Sequence, residues 1–509
     1  MNRKYILAID LGTTNCKTLL VNENLQIQNK ISIEYPVSTL MPGWSEQNPE
    51  DWWEVVKKTI QLITKDIPSG SVKAVGVSGQ MHGLVILDKN KSPLRPAILW
   101  NDQRSAPQCD SIYEQVGGKE GLLKFTNNPM LPGYTGGKIL WVKDHEPEIY
   151  RQISHVILPK DYICFRLTNE ITTDVSDASG TGLFNIRERQ WSYELIEKLH
   201  LPVEWFPHAY ESSEIIGRIQ SSIAANLGLE TNTPVIAGGG DAVMQTIGSG
   251  ATSSDTALIV IGTGGNVTVS TKKIVDNPGA KLQIFCHVLP EQWVAMGVMM
   301  SAGSSLKWFR DTLAGIEIQI AKDLDVNPYE ILDDIAQKSP PGSQGLIFLP
   351  YLQGERCPHT NPNARGAFIG LRTNSRKSDV IRSIMEGVTF GLKDVLEVLI
   401  NLGMSPKDIH TSGGGSVSSL WRQIQADIFN REVTTLDFGA DASALGAGII
   451  AGYSVSIWPS VAEAVSRIKK VHSETPINKN VQKYNELFKI YKDLYPRLES
   501  IYEQLVNLS

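Results

Sequence analysis

The sequence predicts an α/β protein built from two halves of similar plan. Short apolar runs such as Tyr5–Ile9 alternate with longer segments of helical periodicity such as Pro49–Ile63. Strands that alternate with helices along a chain are typical of an α/β architecture. The order of apolar strand, Gly/Thr-rich turn and second strand occurs near residue 10 and again near residue 262. We therefore expect two related halves, residues 1–250 and 251–509.

Each half is expected to begin with a β-hairpin. In the first, Tyr5–Ile9 leads into a turn at Asp10–Thr14 and a second strand at Thr18–Val21. In the second, Thr256–Ile261 leads through Gly262–Asn266 into Val267–Val269. Further buried strands are predicted at Val72–Ser78, His155–Leu158 and Pro234–Ala237.

The clearest helical pattern lies at the C-terminus. Apolar residues from Val481 to Leu505 recur at steps of three and one, which places them in one stripe along a helix. Pro496 is expected to kink or divide this helix. We interpret the helix as a packing element, with a homodimer seam as the alternative.

Composition excludes several classes of protein. The chain has 509 residues, of which 41% are hydrophobic and 20% charged, so it is neither disordered, nor collagen-like, nor a disulfide-stapled miniprotein. A net charge of -6 without a basic block argues against nucleic-acid or membrane partners. No apolar stretch approaches the roughly 18 residues of a membrane span. Five scattered cysteines without a CxxC pair predict reduced thiols in the cytoplasm.

The two Gly/Thr turns are candidate phosphate sites. Gly12 would let backbone N–H groups approach an anion, and Thr13 and Thr14 would add hydroxyl donors. Asp10, at the strand end, could hold a hydrated magnesium ion. Each turn alone could be a plain hairpin turn. Together, facing each other across a cleft, they would clamp a polyphosphate.

A third glycine cluster, Ser412–Ser416, precedes the helical pattern Leu420–Phe429. Glycines at a strand-to-helix turn would permit close approach of a nucleotide base or ribose, although a structural turn is the alternative. The chain has no GxxxxGK[ST] loop and no GxGxxG that opens a first βαβ unit.

Asp241 is the candidate general base. It follows Gly238–Gly240 at the predicted junction of the halves, between apolar segments that would desolvate it. The alternative is an N-cap for a helix that starts at Ala242.

Two polar segments are candidates for binding a polyhydroxylated ligand. Gly79–Gly83 and Trp100–Arg104 each follow a predicted apolar strand and mix hydrogen-bonding side chains with apolar ones. A lone histidine such as His82 could instead be structural. No second histidine lies at metal-ligand spacing, and no GxSxG elbow occurs, so zinc sites and serine hydrolases are not supported.

These motifs, taken in order, resemble the FGGY carbohydrate kinases, and most closely their xylulokinase branch. The resemblance runs nearly from end to end. Its markers are Ile9–Thr13, Trp44–Gln47, Gly79–Gly83, Arg95–Asp102, Leu158–Tyr162, Gly238–Asp241, Leu349–Arg356 and Ala444–Gly448.

The resemblance implies two ribonuclease-H-like domains of the actin/hexokinase/Hsp70 ATPase type around a deep cleft. The N-terminal domain would bind the sugar and the C-terminal domain ATP. Because the two sites fall on different halves with no linker between them, we expect the halves to close about a hinge. Asp241 would be the catalytic base and Asp10 the second essential carboxylate and the magnesium site. Met81 and His82 match the sugar-contacting pair, with Trp100, Asn101 and Asp102 nearby. The positions that match the two phosphate hairpins are Thr13, Thr14, Lys17, Gly262, Thr263 and Gly264. By looser similarity to the glycerol kinases, nucleotide contacts would also lie at Gly303, Lys307, Gly414 and Ser418.

Two positions depart from the family pattern. Ala242 follows the catalytic aspartate where xylulokinases commonly have Asn, which removes up to three hydrogen bonds near the sugar. Gly264 stands where Ser is usual, so one hydroxyl donor is absent while the backbone N–H groups remain.

The activity that the resemblance implies is ATP-dependent phosphorylation of a ketopentose, D-xylulose to D-xylulose 5-phosphate. The alternatives are a related kinase for a gluconate, ribulose or tetritol, and a non-catalytic actin-like ATP-binding module.

Overall fold

The computed structural model describes residues 4–68, 70–437, 439–506 and 508. The chain forms two compact units. The first comprises the residues up to Thr252 with Ser270–Val294 and Asp441–Ile468, and the second comprises Ser253–Val269, Ala295–Ala440 and the residues from Lys469 on. The predicted division into 1–250 and 251–509 placed Ser270–Val294 and Asp441–Ile468 in the other half, because the order of strands along a chain does not reveal segments that return to an earlier unit.

The strands and helices are numbered in chain order. The strands are β1 Tyr5–Leu11, β2 Asn15–Asn22, β3 Ile27–Glu34, β4 Glu46–Gln47, β5 Val72–Gly79, β6 Val85–Leu87, β7 Ala97–Ile98, β8 His155–Ile157, β9 Thr173–Asp174, β10 Phe184–Asn185, β11 Gln190–Trp191, β12 Ala209–Tyr210, β13 Ile215–Arg218, β14 Pro234–Ile236, β15 Gly239–Gly240, β16 Thr256–Ile261, β17 Gly265–Thr271, β18 Gln283–Cys286, β19 Trp293–Met299, β20 Ile347–Leu349, β21 Ala367–Ile369, β22 Asp408–Ser412, β23 Val433–Leu436 and β24 Lys470–Glu474. The α-helices are α1 Pro49–Thr64, α2 Ala106–Val116, α3 Gly118–Thr126, α4 Thr135–His145, α5 Pro147–Tyr150, α6 Pro159–Thr168, α7 Val175–Ala178, α8 Tyr193–Lys198, α9 Ser221–Leu227, α10 Asp241–Gly248, α11 Gly303–Leu313, α12 Gly315–Leu324, α13 Pro328–Ala336, α14 Lys377–Asn401, α15 Ser419–Phe429, α16 Ala442–Ser454, α17 Val461–Ser466 and α18 Asn478–Val506.

The first unit is built on a mixed sheet. Its strand order is β13-β14-β5-β1-β2-β3, and β15 also pairs with β5. β1 and β2 form the predicted antiparallel hairpin, while β5 runs parallel to β1. Helix α1 buries Trp52, Val56 and Ile60 in the core shared with this sheet. Full burial of each such side chain contributes roughly 1.5–3 kcal/mol, which fixes the helix on the sheet.

Small residues bring α16 close to this sheet and to α10. A Cβ on Gly76 of β5 would lie 2.2 Å from the carbonyl oxygen of Ala447, and one on Gly446 would lie 2.1 Å from that of Met244. Only glycine permits such approaches of one backbone to another. The glycines of the Ala444–Gly448 marker are therefore packing residues that set the positions of α10 and α16.

The second unit has a sheet of the same kind. β16 and β17 form the second predicted hairpin, and β16 is followed across the sheet by β22, β23 and β24. Helix α18 continues through Pro496, so of the expected kink or division the division does not occur. The proline costs one hydrogen bond, and the buried aromatic rings of Tyr495 and Tyr502 keep the flanking turns packed.

Two predictions about the class of protein can be compared with the structure. All five cysteines are free and buried, as expected for reduced thiols. Within the described residues, no helix combines the length and the apolar character that a bilayer crossing would require.

Candidate active site

The first unit brings the two predicted carboxylates to one edge of its sheet. Asp10, near the end of β1, lies opposite Ser78 of β5, and Ser78 lies opposite Gly239 of β15. Asp241 is the first residue of α10, directly after β15. Because β1 and β15 both run parallel to β5, their carboxyl ends meet at the same edge, and Asp10 and Asp241 come together there.

The surroundings of these carboxylates favour proton transfer near neutral pH. Burial, followed by the charge of Asp10, raises the pKa of Asp241 to about 7. One oxygen of Asp241, Oδ1, accepts the N–H of Ala242 at 2.7 Å. Burial also raises the pKa of Asp10, against the opposing charge of Lys17. A carboxyl group whose pKa lies near 7 is a suitable general base, which agrees with the role expected for Asp241. The N-cap alternative was wrong, because α10 begins at Asp241 itself and Gly240 is its N-cap residue.

A third carboxylate, Asp441, was not anticipated. Its carboxylate forms ion pairs with Lys17 and Lys30, each at 2.9 Å. Burial alone would raise the pKa of Asp441. The hydrogen bonds from Lys30 and Lys17 outweigh burial, so this pKa lies below its usual value. The sequence offered a signal for this residue, namely a carboxylate next to small residues. Asp441 directly precedes the small residues of α16, just as Asp241 directly follows three glycines. The pairing fixes the ammonium group of Lys17 beside the first hairpin.

The turn of the first hairpin is held by neighbouring side chains. The N–H of Gly12 donates to the carbonyl of Asn15 at 3.0 Å, and the amide of Gln47 donates to the carbonyl of Thr13 at 2.7 Å. The indole Nε1–H of Trp100 donates to Thr13 Oγ1 at 2.8 Å. Since this oxygen already accepts a bond, the hydroxyl hydrogen of Thr13 is available to an anion. Thr14 is exposed at the tip of the turn.

The predicted sugar-contacting pair lies beside the catalytic segment. Met81 is buried against Gly240, where a Cβ would approach its Cγ to 2.6 Å. The ring of His82 stacks on that of Tyr134 with 4.5 Å between centroids. His82 Nδ1 lies 2.6 Å from the carbonyl oxygen of Gly180, so this nitrogen carries the proton and donates it.

Trp100, Asn101 and Asp102 have three different surroundings. Trp100 is 45% exposed and reaches Thr13, as described above. Asn101 lines an open recess of about 450 Å³ together with residues 39–45. Asp102 is fully buried, where it pairs with Arg104 at 2.8 Å and accepts the N–H of Ser45 at 2.6 Å. Its carboxylate therefore holds the loop in place rather than facing a ligand.

The second unit contains a pocket of about 780 Å³. Six of the seven nucleotide positions predicted in this half line it, namely Gly262, Thr263, Gly303, Lys307, Gly414 and Ser418. The pocket also contains residues that no motif marked, among them Asn327, Tyr329 and Asp333. Asn327 is the N-cap residue of α13, and Tyr329 and Asp333 lie on that helix, whose sequence carries no recognisable motif.

Close backbone packing joins the second hairpin, α11 and the third glycine cluster. The N–H of Gly303 donates to the carbonyl of Gly262 at 2.8 Å, and a Cβ on Gly303 would lie 2.5 Å from that oxygen. A Cβ on Gly415 would lie 2.6 Å from Ile261 Cβ. Gly264 packs against the carbonyl of Met299, where a Cβ would come within 2.9 Å, so it supports the turn.

The pocket has a mixed lining that suits a nucleotide. Val417 is 80% exposed on its wall, and Leu306 and Trp421 add apolar surface. Lys307 pairs with Asp311 at 2.6 Å on the exposed face of α11. A pocket with apolar walls, glycine-rich backbone and a few polar groups can hold a base and present N–H donors to phosphates.

The described part of the chain contains no group of three or more His, Cys, Asp or Glu side chains arranged to hold a metal ion. One oxygen of Asp10, Oδ1, is among the buried carboxylate oxygens that have no hydrogen-bond partner within the described residues. A hydrated magnesium ion, which needs one or two carboxylates besides water and phosphate, fits this donor set.

The sequence was compared with protein-family models. Residues 5–248 match the FGGY family of carbohydrate kinases, N-terminal domain, and residues 257–455 match its C-terminal domain. The chain belongs to the FGGY family of carbohydrate kinases. It is therefore a phosphotransferase with an alcohol group as acceptor, and ATP is its co-substrate.

Relatives cover the whole chain. A xylulose kinase of Bacillus subtilis is 37% identical over 98% of both chains. Among solved structures, a ligand-bound xylulose kinase from Lactobacillus acidophilus superposes with a TM-score of 0.91 at 29% identity, covering 99% of this chain and 100% of that one. A gluconate kinase from the same organism superposes with a TM-score of 0.92 at 30% identity and the same coverage.

Proposed function

We propose that the chain transfers the γ-phosphoryl group of ATP to a ketopentose, converting D-xylulose to D-xylulose 5-phosphate. The observation that carries the proposal is the pair of carboxylates, Asp10 and Asp241, at the strand ends beside Met81 and His82. The full-length relatives named xylulose kinase support the choice of sugar.

The sugar-side step follows from the surroundings of Asp241. Phosphoryl transfer depends on positioning and charge stabilisation, with a carboxylate that orients the acceptor hydroxyl. Asp241 accepts the proton of the terminal hydroxyl while that oxygen attacks phosphorus. Its raised pKa makes it a stronger base than an exposed aspartate. Met81 supplies an apolar contact for the carbon chain, and the imidazole of His82 supplies a polar one.

The nucleotide is expected in the pocket of the second unit. The base would cover Val417, where Gly414 and Ser418 provide backbone and hydroxyl groups. The phosphates would accept bonds from the hairpin at Gly262–Gly264. In the first unit, Thr13 and Lys17 are the donors expected for the transferred group.

Asp10 is the residue that would hold magnesium. Its unpartnered Oδ1 fits a water-mediated contact to a hydrated ion. When bound, the ion would neutralise charge on the phosphates.

A second candidate is a gluconate kinase. The gluconate kinase structure is as similar to this chain, at a TM-score of 0.92 and 30% identity, as the xylulose kinase structure is at 0.91 and 29%. In addition, Ala242 lacks the amide that is common beside the catalytic aspartate of xylulokinases. A methyl group leaves more room and fewer hydrogen bonds next to the acceptor.

An ADP-release screen separates these candidates. Purified protein is given MgATP with D-xylulose, D-ribulose, D-gluconate or erythritol, and Asp241→Asn serves as the inactive control. D-Xylulose should give the highest kcat/KM. A higher value with D-gluconate would replace the first candidate by the second, and ADP release independent of every acceptor would contradict both. The companion variant Ala242→Asn should shift the ratio of kcat/KM values toward D-xylulose.

We also infer a cytoplasmic location, which the five free thiols support. That a homodimer forms stays a prediction, and light scattering of the purified protein would test it.

A further inference from the structure

Lys138 is a fully buried lysine in the first unit that the mechanism above does not use. It lies in the first turn and a half of α4. Its Nζ donates to the carbonyl oxygen of His82 at 2.8 Å and to that of Gly133 at 2.6 Å. The hydroxyl of Thr135, on the same helix, donates to the carbonyl of His82 as well, at 3.1 Å.

The two carbonyl groups belong to the loops that carry the candidate sugar contacts. His82 has a φ of 67°, a left-handed conformation that is uncommon for a residue other than glycine. Such a conformation persists only where surrounding contacts hold it. Gly133 packs directly against Trp100, because a Cβ there would lie 2.3 Å from the carbonyl oxygen of Trp100. One amine therefore joins the His82 loop to the support of the Trp100 loop.

No carboxylate pairs with Lys138 among the residues that the structure describes. The titratable groups that face it are Asp102, Cys109 and Arg104, and Asp102 is already paired with Arg104. Burial, the largest effect, lowers the pKa of Lys138 to about 7. An uncharged amine has two N–H groups, which match the two carbonyl acceptors, whereas an ammonium group has a third that would remain without a partner.

Lys160, another fully buried lysine of this unit, provides the contrast. It lies among three carboxylates, with ion pairs to Asp161 and to Asp174 and with Asp177 3.9 Å away. Burial alone would lower the pKa of Lys160. The three carboxylates outweigh burial and raise this pKa well above the usual value. Equal burial thus accompanies pKa shifts in opposite directions, and the neighbouring groups decide which direction is taken.

We propose that Lys138 is a positioning residue for the sugar: in its uncharged form it fixes the backbone of His82 and couples that loop to the one that carries Trp100. The inference rests on the proposed function, since it takes His82 as a sugar contact. Protonation below neutral pH places an unpaired charge under both loops and weakens sugar binding without affecting the nucleotide pocket.

The first test is Lys138→Met, which keeps the length of the side chain and removes both donors. We expect the KM for the sugar to rise about tenfold, because the hydrogen bonds that hold the backbone of His82 and Gly133 are lost. The KM for ATP should stay within about twofold. Lys143→Met, on the outer part of the same helix, is the matched control and should leave both values unchanged. An unchanged KM for the sugar in a folded Lys138→Met protein overturns the proposal.

Thr135→Val provides a second variant should Lys138→Met fail to fold. It removes a neutral donor to the same carbonyl of His82, so the KM for the sugar should rise by a smaller factor. The increase should be the same at every pH. Equal KM values for Thr135→Val and the unaltered protein would mean that the His82 carbonyl does not need to be fixed, which also overturns the proposal.

A stability measurement tests the uncharged amine without any sugar. The unfolded chain keeps this lysine protonated up to a pKa of about 10.4, whereas the folded chain releases the proton near pH 7. The unaltered protein should therefore gain stability relative to Lys138→Met (or to Lys138→Gln) as pH rises from 7 to 10. A constant difference over this range contradicts the uncharged state.

His82→Ala separates a failure of this inference from a failure of the proposed function. If His82→Ala leaves the KM for every sugar unchanged, the sugar site itself is misplaced. If His82→Ala raises that KM and Lys138→Met does not, only the role of Lys138 is refuted.

Discussion

The turns of the two hairpins begin with the same Gly–Thr pair but differ in closure and in chemistry. In the first, the N–H of Gly12 closes the turn on the carbonyl of Asn15 at 3.0 Å. In the second, the N–H of Gly262 closes it on the carbonyl of Gly264 at 2.9 Å. A threonine follows the leading glycine in both, so each hairpin can present a hydroxyl and backbone donors to an anion.

The strands beside the turns make the difference. Two residues before the leading glycine stands Asp10 in the first unit and Val260 in the second. Across the hairpin, Asp10 faces Lys17, whereas Val260 faces Asn266. The first hairpin therefore carries charges and a second carboxylate beside it, while the second adjoins a pocket with apolar walls. Hairpins whose turns begin with the same Gly–Thr pair are thus suited to catalysis or to binding according to the side chains on their strands.

The largest expected effect tests the catalytic side of this comparison. Asp241→Asn removes the base and should lower kcat by about 10²–10⁴-fold with every sugar accepted. The affinity for ATP should change little, because the pocket lies in the other unit. Steady-state kinetics and calorimetry measure the two quantities. Asp110→Asn, an exposed carboxylate of the same unit, is the control, and near-normal turnover in a folded Asp241→Asn protein would refute the assignment.

The substitution Val417→Asp tests the nucleotide-binding role of the second hairpin and its pocket. This residue is 80% exposed in the pocket, where a base would cover it. Covering a valine side chain contributes up to about 1.5–3 kcal/mol, so the KM for ATP should rise by about ten- to a hundredfold. The KM for the sugar should not change. Val471→Asp, on an exposed part of β24, should have no effect, and a rise in the sugar KM with Val417→Asp would break the division of roles.

The pH dependence of the unaltered enzyme comes next in size. Asp241 must be ionised to act as a base, and its pKa lies at about 7. We expect kcat/KM for the sugar to fall by about tenfold per pH unit below this value. The charge of Asp10 is one cause of the raised pKa, so Asp10→Asn should move the acid limb to lower pH, whatever activity remains. An acid limb that stays in place would show that Asp10 does not act on Asp241.

The raised pKa of Asp241 also predicts that the free energy of unfolding depends on pH. Because the folded-state pKa of Asp241 is raised, the folded chain binds the extra proton between about pH 4 and pH 7. The contribution of this residue to stability therefore declines as pH rises through that window. Asp241→Asn should remove this part of the decline.

Much of the fold could be predicted because it depends on local patterns. Apolar runs bounded by Gly and Thr gave both hairpins, and the structure places β5 at Val72–Gly79 and α1 at Pro49–Thr64, close to the expected bounds. The return of Asp441–Ile468 to the first unit could not be predicted in this way, since it depends on packing between segments distant in the sequence.

The site was predictable where a motif marked it. Gly262, Gly303 and Gly414 line one pocket, and at Gly303 a Cβ would lie only 2.5 Å from the carbonyl oxygen of Gly262, so the backbone approach there requires glycine. The role of Lys138 left no local signal, because burial and the direction of its Nζ depend on tertiary packing. Asp102 shows the reverse case: its motif was evident, but the neighbouring Arg104 decides what its carboxylate does.

The smallest expected effect concerns the bond that orients the first hairpin. Trp100→Phe keeps an aromatic ring but removes the Nε1–H that donates to Thr13 Oγ1. A hydrogen bond of this kind contributes about 0.5–1.5 kcal/mol, so kcat/KM for ATP should fall by about two- to tenfold. Thr13→Val should cause a larger loss, because the hydroxyl that reaches the phosphate is removed as well.

If Trp100 acts through Thr13, the double variant should be no worse than Thr13→Val alone, since the same interaction cannot be lost twice. No tryptophan of the described residues donates a hydrogen bond to the second hairpin, so Thr263→Val should be additive with Trp100→Phe. Additive losses for Trp100→Phe and Thr13→Val would instead mean that the indole acts on the ligand directly.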